Sequence, residues 1–479
     1  MTSNHHVIAI LGDVAEYING RAFKPSEWGK EGLPIIRIKN LNDENSKFNY
    51  SNEVFEKRYL VKKGDLLFAW SASLGAYIWK KDEAWLNQHI FLVKPSPFIA
   101  KLYLYYFLDK ITQELYSAAH GSGMVHVTKK KFEETKIGLP PLSEQRSIVS
   151  KIEQLFSELD NGIACLKKAQ EQLKVYRQAV LKQAFEGELT KSWREQQANL
   201  PSAQDLLDTI KTEREQAAKN QGKKLKPVTP LAKVELDELT ELPDGWCWIK
   251  LGELTIGVEY GTSTKSLEKG EVPVIRMGNI QQGRIDWNDL AFTDDKADIS
   301  KYRLLKGDVL FNRTNSPELV GKAAIYNGEM PAIFAGYLIR VNQIKELLHC
   351  KYLNFFLNSH PAKVYGNSVK TDGVNQSNIN GEKLKSYPLP YCSPKEQEQI
   401  VQEIEARLSV CDNMEATIRE SLEKAEALRQ SILKKAFEGK LLSEEELTAT
   451  RNDPDWEPAE KLLERIRAEK NQSKKQALT

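Results

Sequence analysis

Residues 177–189 read RQAVLKQAFEGEL and residues 429–441 read RQSILKKAFEGKL. Nine of the thirteen positions are identical, at an offset of 252 residues. A segment carried twice needs the same surroundings twice, so the chain is constrained to fold into two similar halves. The match continues in the same order along both. Leu11-Gly12 returns at Leu251-Gly252, PIIRIKNL (34–41) as PVIRMGNI (273–280), and KKGDLLF (62–68) as LKGDVLF (305–311). YLYYFL (103–108) returns as YLNFFL (352–357), EQRSIV (144–149) as EQEQIV (396–401), and DLLDTIKTER (205–214) as KLLERIRAEK (461–470). This is a two-fold tandem duplication, not a solenoid with units of about 20–50 residues.

Each half changes texture once. Its first part carries short β-rich runs such as GDLLFAW and HIFLVKP, broken by Gly, Asn and Asp turns. Its second part lacks Gly and Pro for long stretches and has helical periodicity. Apolar residues fall at Ile148, Ile152, Leu155, Leu159, Leu166, Ala169, Leu173, Tyr176 and Val180. The partner stripe runs Ile400, Ile404, Cys411, Met414, Ile418, Ala425, Leu428 and Ile432. Alternating steps of three and four signal a coiled coil. Ser393-Pro394-Lys395-Glu396 has the form of a capping box with Pro at the first helical position, and Ser143 can cap the first copy. Gly187 and Gly439 follow the last turn and suit the left-handed stop.

A rod of roughly 60 Å cannot bury its stripe alone, and the simplest partner is the other copy. Antiparallel pairing lets the Lys-, Pro- and Glu-rich segment 219–243 return the chain to its second half. The pattern therefore predicts an α+β chain: two pseudo-repeated α/β domains separated by two long helices that form an antiparallel coiled coil. The boundaries read 1–142 for the first domain, 143–190 for the first long helix, and 191–242 for a short amphipathic helix and linker. They continue as 243–392 for the second domain, 393–442 for the second long helix, and 443–479 for a C-terminal amphipathic helix and basic tail.

Composition narrows the function class. The 479 residues are 41% hydrophobic and 28% charged, with a net charge of +2. No apolar run approaches the roughly eighteen residues of a membrane helix, and the N-terminus does not read as a signal peptide. The five cysteines form no C-x-x-C pair, so neither a disulfide framework nor a zinc site is indicated, and a reducing cytoplasm is the default. No phosphate loop, strand-linked G-x-G-x-x-G, H-E-x-x-H or N-P-P-[FY] tetrapeptide occurs. His5-His6 reads as an exposed terminus, and Asp453-Pro454-Asp455 as a turn. No catalytic constellation is found.

A binding reading fares better. The halves differ most in stretches rich in Ser, Thr, Asn, Gln, Lys and Arg: GRAFKPS against YGTSTKS, AWSASLGA against NRTNSPELVGKA, and AAHGSGMVHVTKKKF against SVKTDGVNQSNINGEKL. Such side chains read base edges and hold phosphates, though polar surface loops have the same composition. The candidate DNA contacts are Arg21, Lys24, Arg37, Ser71, Ser73, His120, Ser122 and Lys129 in the first half. In the second they are Thr262, Thr264, Lys265, Arg276, Asn279, Arg313, Asn315, Lys370, Thr371, Asn375 and Gln376. Arg37 and Arg276 match each other, which suits a shared phosphate or structural role. Trp70 stands where the other half has Arg313.

The duplicated plan, with GDLLF/GDVLF, LPPLSEQRSIV/LPYCSPKEQEQIV, AVLKQAFEGEL/SILKKAFEGKL and LLDTIKTER/LLERIRAEK, resembles the specificity subunits of type I restriction–modification systems over nearly the whole length. The second domain opens with LPDGWCWIKLGEL (242–254), a typical start for that family, and the first lacks it. The resemblance implies two target recognition domains, each reading half of a bipartite, asymmetric site in double-stranded DNA, with the helices setting the gap. It implies a non-catalytic chain with no cofactor of its own. Two modification subunits would methylate adenine with S-adenosylmethionine, and restriction subunits would add translocation and cleavage with ATP and Mg. The repeated helix ends are the expected docking surface, through Phe185, Leu189, Phe437 and Leu441, with Leu206, Ile210, Leu462 and Ile466 beside them. The alternative is a coiled-coil adaptor whose globular heads bind protein.

Overall fold

The computed structural model describes residues 6–43, 45–71, 73–118, 128–220, 222, 224–225 and 227–476. The chain forms two compact units, Met1–Lys167 with Arg419–Thr479, and Lys168–Ile418. In the first unit, two four-stranded sheets are built from the β-rich runs. One has the order Ala15–Asn19, Ile90–Pro95, Leu66–Ala69, Gly75–Ile78. The other has the order Asn49–Ser51, Leu33–Ile36, Ala84–Leu86, Leu60–Val61. Val7–Ile10 pairs antiparallel with Lys136–Leu139 to close the unit.

The second unit repeats this plan with additions. Its main sheet has six strands, in the order Thr255–Tyr260, Leu338–Gln343, Val309–Asn312, Ala323–Ile325, Gly283–Ile285, Ile280–Gln281. Two three-stranded sheets stand beside it, and Cys247–Lys250 pairs with Pro388–Tyr391 as the closing pair.

The repeated motifs are joints. In GDLLF and GDVLF the glycine takes a positive φ, +88° at Gly64 and +90° at Gly307, which only glycine adopts freely. The following carboxylates accept the turn's own amides: Lys62 N donates to Asp65 Oδ2 at 2.7 Å, and Leu305 N to Asp308 Oδ2 at 2.9 Å. Strands Leu66–Ala69 and Val309–Asn312, buried throughout, follow directly.

Each long helix begins at a Glu-Gln pair buried in its own domain. Gln145 accepts from Ala100 N and donates to Pro140 O, both at 2.9 Å. Gln397 accepts from His349 N at 2.9 Å and donates to Leu347 O and Cys392 O at 2.9 and 3.0 Å. Neither side chain has solvent exposure. Of the expected capping box, Ser393 Oγ does accept from Glu396 N at 3.2 Å. The Glu396 carboxylate does not turn back, however. It receives Thr190 Oγ1 and Arg194 Nε at 2.8 Å and Trp246 Nε1 at 3.0 Å. Ser143, unlike Ser393, is no cap, because the helix already starts at Leu142 and Ser143 Oγ donates to Thr450 O. Where Glu396 meets Arg194 and Trp246, Glu144 meets His6, whose Nε2 lies 2.7 Å from Glu144 Oε1. His6 is therefore tied to the fold, contrary to the reading of His5-His6 as an exposed terminus, and His5 lies outside the described residues.

The helices run Leu142–Phe185 and Pro394–Phe437. Each ends in a glycine with positive φ, +78° at Gly187 and +69° at Gly439. Backbone bonds Glu188 N to Gln183 O at 2.9 Å and Lys440 N to Lys435 O at 2.8 Å complete the Schellman stop. The two helices pack together antiparallel. In the first unit Arg429 of the second helix bonds Asp160 of the first. In the second, Arg177 Nη2 donates to Asp412 Oδ1 at 2.7 Å and Glu415 Oε2 at 3.0 Å. Ile148, Ile152, Leu173 and Val180 are buried, as are Ile400, Ile404, Cys411 and Ile432. Tyr176, Met414 and Leu428, on the same predicted stripe, are 45%, 48% and 51% exposed. A straight helix drifts about 20° per heptad against a seven-residue repeat, so one column of the stripe leaves the seam.

Burial raises the Asp412 carboxyl, but Arg177 and Arg284 outweigh it and hold the group below the usual carboxylate range. A pKa lowered on folding adds stability above the ordinary value, lost as pH falls through the lowered one. Arg177→Ala should cost about 1 kcal/mol or less near neutral pH, because the pair is partly exposed. Urea unfolding of the two proteins should converge between about pH 5 and pH 2. A gap that persists at the acid end would place the effect of Arg177 elsewhere.

Candidate DNA-reading faces

Register identifies equivalent positions that sequence comparison does not. Asn19 pairs with Phe91 and Ala69 with Ile90 in the first unit, while Tyr260 pairs with Ile339 and Asn312 with Leu338 in the second. Asn19 and Tyr260, with the residue after Ala69 or Asn312 and the residue before Ile90 or Leu338, give two matched trios at the sheet end. These are Asn19, Trp70 and His89 against Tyr260, Arg313 and Tyr337. The backbone agrees, since Trp70 N donates to His89 O at 3.1 Å and Arg313 N to Tyr337 O at 3.0 Å. The glycine after the first member is required in both. A Cβ on Gly20 would sit 2.0 Å from Asn87 O, and one on Gly261 2.2 Å from Phe334 O.

The chemistry differs. Trp70 Nε1 donates to Asn19 Oδ1 at 3.1 Å, and its ring meets His89 edge-on at 5.0 Å. His89 holds φ at +72°, rare for a residue with a side chain, and its buried Nδ1 has no partner among the described residues. In the second unit the Arg313 guanidinium lies 4.9 Å from the Tyr260 ring centroid, and its Nη1 donates to Gly336 O at 3.3 Å. Its Nε is buried without a partner among the described residues. Tyr260 and Tyr337 are 41% and 53% exposed, unusual for aromatics in a frame with so many buried rings.

Several predicted residues gather around Arg313. Asn315 sits on the strand Thr314–Asn315, which pairs with Ser377–Asn378, and that strand pairs with Thr371–Asp372. Thr371, Asn375 and Gln376 are exposed on this small sheet, and Lys370 Nζ donates to Pro317 O at 3.3 Å. Thr262 joins through its backbone, with Gly336 N donating to Thr262 O at 2.7 Å. Its hydroxyl is buried on Asp298. Thr264 and Lys265 continue from it as exposed residues.

Other predicted contacts are structural. Asn279 is 3% exposed and spends its amide on Asp286 O and Asn288 O, at 3.0 and 3.1 Å. Asn40 does the same in the first unit with Ser46 O and Lys47 O. Arg276 turns to Asp289 O at 2.8 Å, and Arg37 lies over Trp28 at 5.5 Å. Arg21 binds Glu27 at 2.6 Å and stacks on Phe55 at 4.0 Å. The Lys24 amide, and with it Arg21, holds the Glu27 carboxyl below the usual range although burial opposes this. Lys24 itself is exposed. Lys129 Nζ donates to Tyr17 O at 2.7 Å. Ser71 is buried and Ser73 half-buried, and His120 and Ser122 lie outside the described residues.

The expected docking anchors are packed inside their own units. Phe185 is 3% exposed, with its ring centroid 5.1 Å from Tyr352 and 5.4 Å from Phe356. Phe437 lies 5.1 Å from Tyr103 and 5.3 Å from Phe107. Leu206 and Ile210 are buried in the second unit's core, and Leu462 and Ile466 in the first's. Leu189 and Leu441 are half-buried against the same cores. A buried side chain cannot serve as an open anchor, so Phe185, Leu206, Ile210, Leu462 and Ile466 are internal packing residues, while Phe437 is half-buried against its unit's core. No cluster of His, Cys, Asp and Glu that could hold a metal occurs among the described residues, and no described helix is long and apolar enough to cross a membrane.

The family described as "Type I restriction modification DNA specificity domain" matches the chain twice, over residues 8–170 and 243–424. The EcoBI type I restriction enzyme specificity subunit of Escherichia coli is 26% identical over 475 residues, covering 96% of this chain and 91% of that protein. The EcoKI specificity subunit of Escherichia coli strain K12 is 26% identical over 492 residues, covering 97% and 95%. Among solved structures, the HsdS subunit from Thermoanaerobacter tengcongensis shares the fold at a TM-score of 0.50 and 18% identity, covering 91% of this chain and 97% of that one. A chain from a study of complex assembly and conformational transition of the type I R-M system reaches 0.64 at 18% identity, covering 91% and 98%.

Phe185→Asp would bury a carboxylate among Tyr352 and Phe356. It should destabilise the chain by about 4 kcal/mol or more, read by chemical denaturation of the chain without any partner. Unchanged stability would mean that this ring does not hold its helix end to the domain.

Proposed function

The chain belongs to the type I restriction–modification DNA specificity family, and from that premise we propose that each of its two domains reads one half of a bipartite, asymmetric DNA site. Relatives in this family are specificity subunits, the non-catalytic DNA-recognition members of systems that also contain other subunits. The observation that carries the proposal is the pair of matched trios. One frame presents Asn, Trp and His in the first unit and Tyr, Arg and Tyr in the second. Two readers of different half-sites need that combination of fixed frame and variable tip. Arginine pairs bidentately with guanine in the major groove more often than any other specific contact, so Arg313 is assigned a guanine in the second unit's half-site. Asn315, Lys370, Thr371, Asn375 and Gln376 surround it as further base and phosphate contacts.

The helix pair acts as the spacer between half-sites, as protein spacing does in other two-headed DNA readers. It also docks two modification subunits and so directs their adenine methylation, and restriction subunits join for cleavage. With Phe185 buried and Phe437 half-buried against its unit's core, docking falls to exposed helix positions such as Val175, Tyr176, Met414 and Leu428.

The test is to map methylated motifs by single-molecule sequencing in cells that express this chain with its modification subunit. A two-part motif is expected, and absence of one would overturn the reading. Arg313→Gln should relax one guanine in one half-site, lower methylation there by about 10- to 100-fold, and leave the other half-site unchanged. One heptad inserted into both long helices should widen the gap by roughly 10 Å, about three base pairs, without changing the bases read. If the bases changed, the division between reading heads and spacer would be wrong.

A further inference from the structure

The two units fill one place differently. In the second, the hairpin of Ile280–Gln281 and Gly283–Ile285 lies against the helix Cys350–Leu357 and the second long helix. Asn354 Nδ2 donates to Gly283 O at 2.9 Å. Arg284 Nη2 reaches Asp412 Oδ2 at 3.0 Å, beside Arg177, and Lys351 Nζ holds Glu405 at 2.6 Å. Acids and cations there balance: Asp412, Glu405 and Glu415 against Arg177, Arg284 and Lys351.

The register of the repeat puts Asp160 at the place of Asp412, Glu153 at Glu405, Arg429 at Arg177, Tyr105 at Asn354, and Leu102 at Lys351. Asp109 stands where the second unit has Asn358. The first unit has no counterpart of the hairpin among its described residues, and its main sheet ends at Gly75–Ile78. The segment that would form it is three residues shorter, running from Ile35 to its partner Asn49 rather than from Val274 to Ala291. In place of the hairpin is a hollow of about 450 Å³ lined by Tyr105, Tyr106, Asp109, Glu153, Asp160 and Arg429. Three carboxylates face one guanidinium, which is bound to Asp160 and stacked 4.3 Å from the Phe156 ring centroid. No ion-pair partner reaches Asp109 or Glu153 among the described residues. Burial pushes the Asp109 carboxyl upward, which Arg429 opposes and Glu426 reinforces.

We infer that this hollow is a docking site for a basic segment of the modification subunit, which brings an arginine or lysine to Asp109 and Glu153 where the second unit supplies its own Arg284 and Lys351. The inference rests on the proposal that the chain assembles with modification subunits. Charge and shape select the occupant. A nucleic acid would bring phosphates to a surplus of carboxylates. A cationic side chain gains the acids and the two tyrosine faces together, in a space that this chain fills elsewhere with an arginine-bearing hairpin.

The test uses the complete complex of this chain and its modification subunits. A photo-crosslinking residue replaces Ser157, which is exposed and lines the hollow. It should capture a Lys- or Arg-bearing peptide of the modification subunit. Asp109→Lys with Glu153→Lys should abolish that cross-link and weaken assembly about tenfold or more, with the difference shrinking at high salt. The isosteric pair Asp109→Asn and Glu153→Gln should weaken it part of the way with no loss of thermal stability. Intact assembly without a cross-link, a cross-link to this chain's own residues, or unchanged affinity in both double variants would overturn the inference. Failure of the unaltered chain to assemble at all would instead overturn the docking proposal beneath it, and the inference with it.

Discussion

The structure depends on a glutamine with no access to water at the head of each long helix. Gln145 and Gln397 each bridge backbone groups of the domain that precedes the helix. These groups would otherwise be buried without partners, at about 1–3 kcal/mol each. The preceding glutamate is committed as firmly, Glu144 to His6 and Glu396 to Thr190, Arg194 and Trp246. A helix joined through buried polar contacts cannot rotate on its domain without stranding them. Each domain is thereby fixed in phase to its own length of helix.

What was legible in the sequence is what local chemistry and periodicity dictate. The glycine stops, the turn before each GD-initiated strand, the β-rich runs and the long helices all follow from steric or repeating patterns that need no knowledge of neighbours. Periodicity says that a side chain is covered, not by what. Phe185 and Phe437 were readable as apolar anchors, but the rings that cover them, Tyr352 and Phe356 in one unit and Tyr103 and Phe107 in the other, lie far away in sequence. Composition fails in the same way at Asn279, whose polarity suits a base contact while its amide closes a loop of its own.

The trios were missed because their members come from three strands and acquire a common position only through register. Arg313 and Tyr260 fall within the divergent stretches, but Tyr337 lies outside them and His89 heads the run HIFLVKP, which reads as plain strand. One usable signal existed. Gly20 and Gly261 both precede a divergent loop, and such a pair marks a close backbone approach whose neighbours share a site.

Identity between the halves of a duplicated chain has a double meaning. The segment AFEG is the same in both copies because it does the same internal work in both, closing a helix end against a domain. Shared sequence here marks joints, and a partner that binds two equivalent places would leave a similar trace. Burial separates the two cases, and it assigns the shared residues to the frame. The divergent positions carry the complementary information. Asp109 for Asn358 and Leu102 for Lys351 accompany the loss of a hairpin, while Ile163 stands at the place of Glu415, so the first unit keeps three carboxylates there but loses the cations matching Arg284 and Lys351. The asymmetry between the units is thus itself a pattern: the second unit supplies its own cations at this place, and the first leaves three carboxylates facing one guanidinium.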